Sequence, residues 1–314
     1  MRLDKKKMIA ATIVACTTLF IAIGIHEKKD TRKKFGATYM TMNNPYFVNM
    51  DENIEESVQA KGDILITRDP LQDQKKQNEQ IKDMINEGID VLFLQPVDRN
   101  KVRPALELCK KKHIPVFVID SEVSDTEAVV STIVSDNYDA GVQCAKDMMK
   151  KKTSANIIIV NQKALNSINE RVKGFRDTIK GHPQYKIVEE KESAAEFEIA
   201  MKVMEKIIYE KKNYDVVMGG NDPIALGCIA AMQMTDKTDQ VMVYGVDGSP
   251  DGKAMIKAGF LEGTAAQSPI KIGEKAVQTA YSYLAGETVK KHVTIPVELI
   301  TADNLKFYDM TGWQ

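Results

Sequence analysis

The chain is poor in the residues that mark specialised scaffolds. Four cysteines among 314 residues cannot staple a disulfide-dense fold, and eighteen glycines with ten prolines are too few for collagen-like or low-complexity sequence. Four histidines, His26, His113, His182 and His292, are scattered without metal-ligand spacing, so no metal site is expected. No glycine follows the first expected strand, which removes the dinucleotide fingerprint. Gly248 to Ala254 looks like a phosphate loop, but three residues rather than four separate its glycines and Ala254 has no hydroxyl for magnesium. It reads as a turn opening a helix. There is no nucleophile elbow, and Cys109, Cys144 and Cys228 fall on apolar faces of expected helices, as buried thiols do. No cofactor, no metal and no enzyme activity is expected. A composition of 43% hydrophobic and 28% charged residues, over this length, is that of a globular protein with two domains of ordinary size.

The net charge is only −1, yet it is unevenly spread. Residues 1–34 carry nine Lys/Arg against three Asp/Glu, so the remainder holds 34 basic and 41 acidic residues, a net of −7. An acidic body argues against a nucleic-acid partner. Arg2, Lys5, Lys6 and Lys7 precede eighteen uncharged residues, 8–25, the pattern of a membrane-targeting segment. Its length suits an uncleaved anchor better than a signal peptide. Ile13-Val14-Ala15-Cys16 also resembles a lipobox, in which Cys16 would be acylated, although apolar residues continue past it. Lys28, Lys29, Arg32, Lys33 and Lys34 then read as a solvated tether, and residues 1–34 form an anchor or signal with that tether.

From Phe35 onward, short apolar runs alternate with amphipathic segments, the pattern of helices packed on parallel sheets. The sequence predicts strands over 35–42, 63–67, 91–95 and 116–120, with helices over 44–60, 72–87 and 101–112 between them. A second series has strands over 156–160, 186–189, 216–219 and 241–246, with helices over 140–151, 168–180, 200–211 and 224–234. Two doubly wound, Rossmann-like α/β lobes account for both series.

Open parallel sheets bind ligands at the carboxyl ends of their strands. Asn43-Asn44-Pro45-Tyr46-Phe47, Asp98, Asp120-Ser121, Asn221-Asp222 and Asp247 all fall there. Each Asn or Asp alone reads more readily as a helix N-cap. Their repeated placement, with two aromatics alongside, points to a site.

Taken together, Asn43 to Phe47, Val116 to Asp120, Ser135-Asp136-Asn137, Glu170 to Phe175, Asn221 to Gly227 and Gly245 to Gly252 carry a resemblance. From about Phe35 to Tyr308 the chain resembles the ribose-binding-protein type of periplasmic sugar-binding protein, with the type I periplasmic binding protein fold. The resemblance implies two lobes joined by a three-crossing hinge, near Ser135, Gln267 and Leu299, with ligand held between them. One lobe would comprise 35–135 plus 268–298, the other 136–267 plus 299–314. Carried over residue by residue, the family's sugar contacts fall on Asn44, Tyr46, Phe47, Asp120, Arg171, Asn221, Asp247 and Gln267. Their chemistry suits a polyol, because Asp, Asn, Gln and Arg offer planar forks to vicinal hydroxyls. Without the resemblance, Tyr46 and Phe47 read equally as a core pair and Arg171 as a surface ion pair.

Two departures bear on the ligand. Ser121 stands where the ribose binders have Arg, and the aromatic wall of the second lobe falls on Phe197 with a gap or on Ala195 without one. Loss of the Arg leaves room or polarity for a different pentose, a hexose, an inositol or a signalling sugar in preference to ribose. The resemblance implies an extracytoplasmic protein that binds sugar by hinge closure, without covalent chemistry. Its partner would be an ABC transporter permease or, as the alternative, a membrane sensor kinase or chemoreceptor. A lac-repressor type of regulator shares this core, but it needs a helix-turn-helix where residues 8–25 are apolar.

Overall fold

A computed structural model of the chain describes residues 31–211, 213–235 and 241–314. The expected anchor over 8–25, the signal and lipobox readings and Cys16 lie outside the described residues. Among the described residues, no helix is long and apolar enough to cross a membrane.

Two six-stranded sheets organise the chain. The first contains β1 (Lys34–Thr38), β2 (Ile64–Arg68), β3 (Val91–Leu94), β4 (Val116–Ile119), β5 (Val129–Ser135) and β11 (His292–Ile295), in the order β11-β5-β4-β3-β1-β2. All its pairings are parallel. The second contains β6 (Ala155–Asn161), β7 (Tyr185–Glu192), β8 (Val216–Gly219), β9 (Met242–Asp247), β10 (Gly263–Ala266) and β12 (Glu298–Thr301), in the order β12-β10-β9-β8-β6-β7. It is parallel except where β12 runs against β10. The chain therefore passes between the sheets three times, after β5, after β10 and between β11 and β12.

Strand sequences such as Val91-Leu92-Phe93-Leu94 are apolar throughout because both sheet faces are covered. The period-2 alternation then divides them. Val91 and Phe93 join Phe35, Phe117, Met50 and Ile54 in one core, while Leu92 and Leu94 join Ile81, Met84, Leu106 and Cys109 in another. The covering helices of the first sheet are α1 (Pro45–Gln59), α2 (Gln74–Asn86), α3 (Arg103–Lys111) and, from late in the chain, α9 (Pro269–Leu284), which packs against α1. The second sheet carries α4 (Asn137–Lys151), α5 (Asn166–Ile179), α6 (Phe197–Tyr209), α7 (Asp222–Gln233) and α8 (Pro250–Lys257). Helices α4 and α5 cross at Gly141 and Gly174, where a Cβ would fall 1.8 Å from the Arg171 carbonyl and 2.0 Å from that of Tyr138. Any side chain there would push Arg171 out of place.

The first strand is shorter than its apolar run suggests. Beyond Thr38 the Met40 amide donates to Gln95 Oε1 instead of to a neighbouring strand, and the chain turns towards α1. Strand β7 is longer than expected, and β5, β10, β11 and α9 carry no sequence expectation above. The Gly248 to Ala254 segment is a turn opening α8, capped by Ser249.

Candidate functional site

The site lies where the carboxyl ends of β1, β4, β8 and β9 meet the N-termini of the helices that follow. Helices α1, α7, α8 and α9 all begin with an Asn or Ser cap and a proline in the first two positions, a combination that starts a helix sharply. Two of these caps, Asn44 and Asn221, line the cavity at the site.

A small cavity there is lined by Asn44, Tyr46, Phe47, Asp120, Arg171, Asn221, Asp247 and Gln267, together with Met40, Leu165, Ser167 and Ile168. All eight residues carried over by resemblance meet in one place, from α1, β4, α5, α7, β9 and the link to α9. Ser121 does not line it. Its Oγ accepts from the Ser167 amide at 3.2 Å, joining the two lobes beside the site. Neither Phe197 nor Ala195 reaches the cavity, and both line a larger recess of about 430 Å³ on the outer side of Asn44. The apolar wall on the second lobe's side is made by Leu165 and Ile168. Asp98 lies away from the cavity, bonded to the amides of Asn100 and Lys101.

The asparagines are helix N-caps, and both also line the cavity. Asn44 Oδ1 accepts from the Tyr46 amide at 2.9 Å and Asn221 Oδ1 from Ile224 at 3.0 Å. Each oxygen accepts a helix amide, and Asn221 Nδ2 also donates to the Ala195 carbonyl at 3.4 Å. Arg171 is buried at 3% exposure and is not a surface ion pair. Its Nε donates to Asn137 Oδ1 and its Nη1 to the Gly220 carbonyl, both at 2.8 Å, with Asp247 Oδ1 3.9 Å away. Gln267 Nε2 donates to Asp247 Oδ1 at 2.8 Å, and the Tyr46 hydroxyl lies 3.5 Å from Gln267 Oε1. Tyr46 and Phe47 pack edge to face at 5.4 Å.

Both cleft carboxylates occupy backbone conformations that non-glycine residues avoid, φ 64° at Asp120 and φ 150° at Asp247. Such strain is tolerated where the position of a side chain matters. Burial pushes the Asp120 carboxyl up to about 6, against the pull of Arg171. Burial, with the neighbouring Asp222 charge, pushes Asp247 up to about 8, again opposed by Arg171. Burial also raises the Tyr46 phenol well above its usual range.

Three supporting residues lie in stretches that the sequence singled out, but without a role of their own. Asp222 sits behind Asp247, where it accepts from the Ser249 amide and hydroxyl at 2.9 and 2.7 Å and from Thr264 Oγ1 at 2.6 Å. Its own amide donates to Asp247 Oδ2 at 3.3 Å. Gly245 and Gly252 signal its presence, since a Cβ at either would fall 2.4–2.5 Å from an Asp222 oxygen. Gln95 reads in the sequence as a strand end, and Asn137 only as part of the Ser135-Asp136-Asn137 stretch that carries the resemblance. Among the described residues, no group of His, Cys, Asp and Glu could hold a metal ion.

The cavity measures about 20 Å³, room for roughly one water molecule. Nothing the size of a sugar fits in it as it stands. Contacts across the cleft are mostly polar: Gln72 to Glu196, the Arg99 amide to the Ala164 carbonyl at 3.1 Å and its guanidinium to Asn166, Asn166 Nδ2 to Glu122 Oε2 at 2.6 Å, and Ser121 to Ser167, with the Tyr46–Trp313 ring pair beside them. At a net of about 1 kcal/mol each, such bonds can be exchanged for water when a hinge opens.

The family model of the periplasmic binding protein domain matches residues 35–288. The ribose import binding protein of Escherichia coli is 28% identical over 302 residues, covering 95% of this chain and 99% of that protein. The D-apiose import binding protein of Paraburkholderia graminis is 28% identical over 304 residues, covering 96% of each. An ABC transporter solute-binding protein of Mycobacterium smegmatis, solved with bound glycerol, superposes with a TM-score of 0.84 at 27% identity, over 90% of this chain and all of that one. With its two parallel-sheet lobes and its cleft, the chain belongs to the periplasmic binding protein family and is of the ribose-binding-protein type.

Proposed function

We propose that this protein is an extracytoplasmic solute-binding protein that captures a sugar or sugar-like polyol between its lobes by hinge closure and delivers it to an ABC importer. The observation that carries this reading is the convergence of Asp120, Arg171, Asn221, Asp247 and Gln267 beside Tyr46 and Phe47 in one buried cavity. Carboxylate, amide and guanidinium forks satisfy pairs of hydroxyls, and the aromatic rings cover C–H faces. The import role named for the relatives favours an importer over a sensor kinase or chemoreceptor as the partner. The lobes that close are 35–135 plus 268–298 and 136–267 plus 299–314, and ligand stabilises the closed form by touching both. No covalent step is part of this function.

A thermal-shift screen of the full chain against pentoses, hexoses and inositols tests the reading. At least one sugar should raise the unfolding midpoint by mass action. A panel without effect, confirmed by calorimetry, would remove sugars from the site. The proposal extends to membrane attachment through 8–25, or through acylated Cys16, and mass spectrometry of the mature protein distinguishes an intact segment from cleavage before Cys16.

A further inference from the structure

The sequence holds one tryptophan, Trp313, and it lies at the sugar cleft without lining the cavity. Its ring packs edge-on against Tyr46, with centroids 5.5 Å apart and planes at 74°. Tyr46 belongs to α1 of the first lobe, whereas the segment bearing Trp313 follows β12 and belongs to the second. Among the described residues, this is the one aromatic ring pair that spans the lobes.

The segment is held from below by a charge. Lys253 on α8 is fully buried, and its Nζ donates to the carbonyls of Asp309 and of Gly312, the latter at 2.7 Å. A buried ammonium given to two backbone carbonyls is a costly device for holding a surface segment, and it leaves little freedom for register. The turn is closed further by Asp309 Oδ1, which accepts from the Thr311 amide and hydroxyl at 2.9 Å each. A Cβ on Gly312 would fall 2.6 Å from Asp309 Oδ2. Helix α8 is also capped by Ser249, the residue bonded to Asp222 behind the cleft. One short helix therefore ties together the polar floor of the site and the strap that carries Trp313.

We propose that Trp313 is a positioning residue for the ligand cleft: clamped to the second lobe by Lys253, it seats against Tyr46 of the first lobe and holds that ring in the closed arrangement. This rests on the reading of the cleft as a sugar site. Opening the hinge separates the two rings, so the contact stabilises closure and slows ligand release.

The test uses the full chain with D-ribose, D-allose and myo-inositol as probes. For whichever probe binds, Trp313→Ala should weaken affinity roughly 10-fold, the scale of one buried aromatic pair and its packing, through faster dissociation with little change in association. Trp313→Phe should restore most of the loss. The unfolding midpoint of the ligand-free protein should hardly move, which separates positioning from a general loss of stability. Lys253→Met should weaken affinity like Trp313→Ala while Trp313 emission shifts to the red. Wild-type affinity in Trp313→Ala would overturn the proposal. A readout independent of sugar separates this failure from that of the sugar reading: in the ligand-free chain, Tyr46→Ala should increase acrylamide quenching of Trp313. If the three probes are silent, unchanged quenching still overturns the seat, and increased quenching upholds it while the full sugar panel decides the sugar reading.

Discussion

Where the second lobe fixes its cleft groups by hydrogen bonds made within that lobe, the first lobe presents a largely aromatic face. Arg171 is held by Asn137 and Gly220, and Asp247 by Gln267 and the Asp222 amide, with Ser249 and Thr264 holding Asp222. Opposite them stand Tyr46 and Phe47 with Met40, a single carboxylate, Asp120, and the helix-capping amide of Asn44. The difference teaches a division of labour. A polar surface whose forks are already oriented can recognise hydroxyls before closure, at a small ordering cost. An aromatic surface adds most when it excludes water, and so acts at closure.

Breaking the support of the polar wall should have the largest effect. Asp222→Ala leaves the Ser249 amide, the Ser249 hydroxyl and the Thr264 hydroxyl without their buried acceptor, at roughly 1–3 kcal/mol for each unsatisfied group. Chemical denaturation should show a loss of several kcal/mol, and sugar binding should go with it. A denaturation midpoint like the wild type's would mean that the wall is not held this way.

Changing the cation is next. Arg171→Lys keeps the charge but loses the planar fork, and affinity should fall roughly 10–100-fold, the equivalent of one or two hydrogen bonds to a charged group. Because Arg171 also bonds Asn137 and Gly220, the ligand-free protein should lose some stability as well. Calorimetry of this variant separates the two effects, and wild-type affinity would exclude Arg171 from ligand contact.

Tyr46→Phe sharpens the comparison from the other side, since it keeps the aromatic face and removes the hydroxyl beside Gln267. Affinity should fall by about 1 kcal/mol, with stability unchanged. A larger loss in titration would make the first lobe a polar partner equal to the second.

The last test is that of pH. Asp120 and Asp247 ionise near 4 when unfolded but near 6 and 8 when folded, so their protonated forms favour the folded state. Their contribution is complete below about pH 4 and is lost as pH rises through 6 and then 8. Asp247→Asn should flatten the upper part of that decline in midpoint-against-pH curves, and parallel curves would contradict the raised Asp247 value.

How much of this was legible in the sequence depends on distance along the chain. Val91 to Leu94 and Val216 to Gly219 could be read as buried strands because their apolar runs are local signals. The six residues Gly263 to Thr264 and His292 to Ile295 could not, since a Gly-Thr pair and an exposed, alternating edge strand are weak local signals that become strands only by pairing with β9 and β5. The strand-end rule located Asn44, Asp120, Asn221 and Asp247, and the resemblance added Arg171 and Gln267. Asp222 was seen only as a neighbour of Asn221, because its three acceptor bonds come from residues 27 and 42 positions away. Ser121 illustrates the converse: a side chain at a site position whose hydroxyl is taken by the opposite lobe. Trp313 gave no signal at all, since its partner lies at the far end of the chain.

Hydrogen–deuterium exchange of the full chain, with and without the sugar that gives the largest thermal shift, tests the central claim most directly. The account predicts slowed exchange in both lobes at once, at residues 44–48 after β1 and at 221–225 and 247–253 after β8 and β9, with the outer helices α3 and α6 unchanged. Protection confined to one lobe, or centred away from these strand ends, would contradict capture by closure.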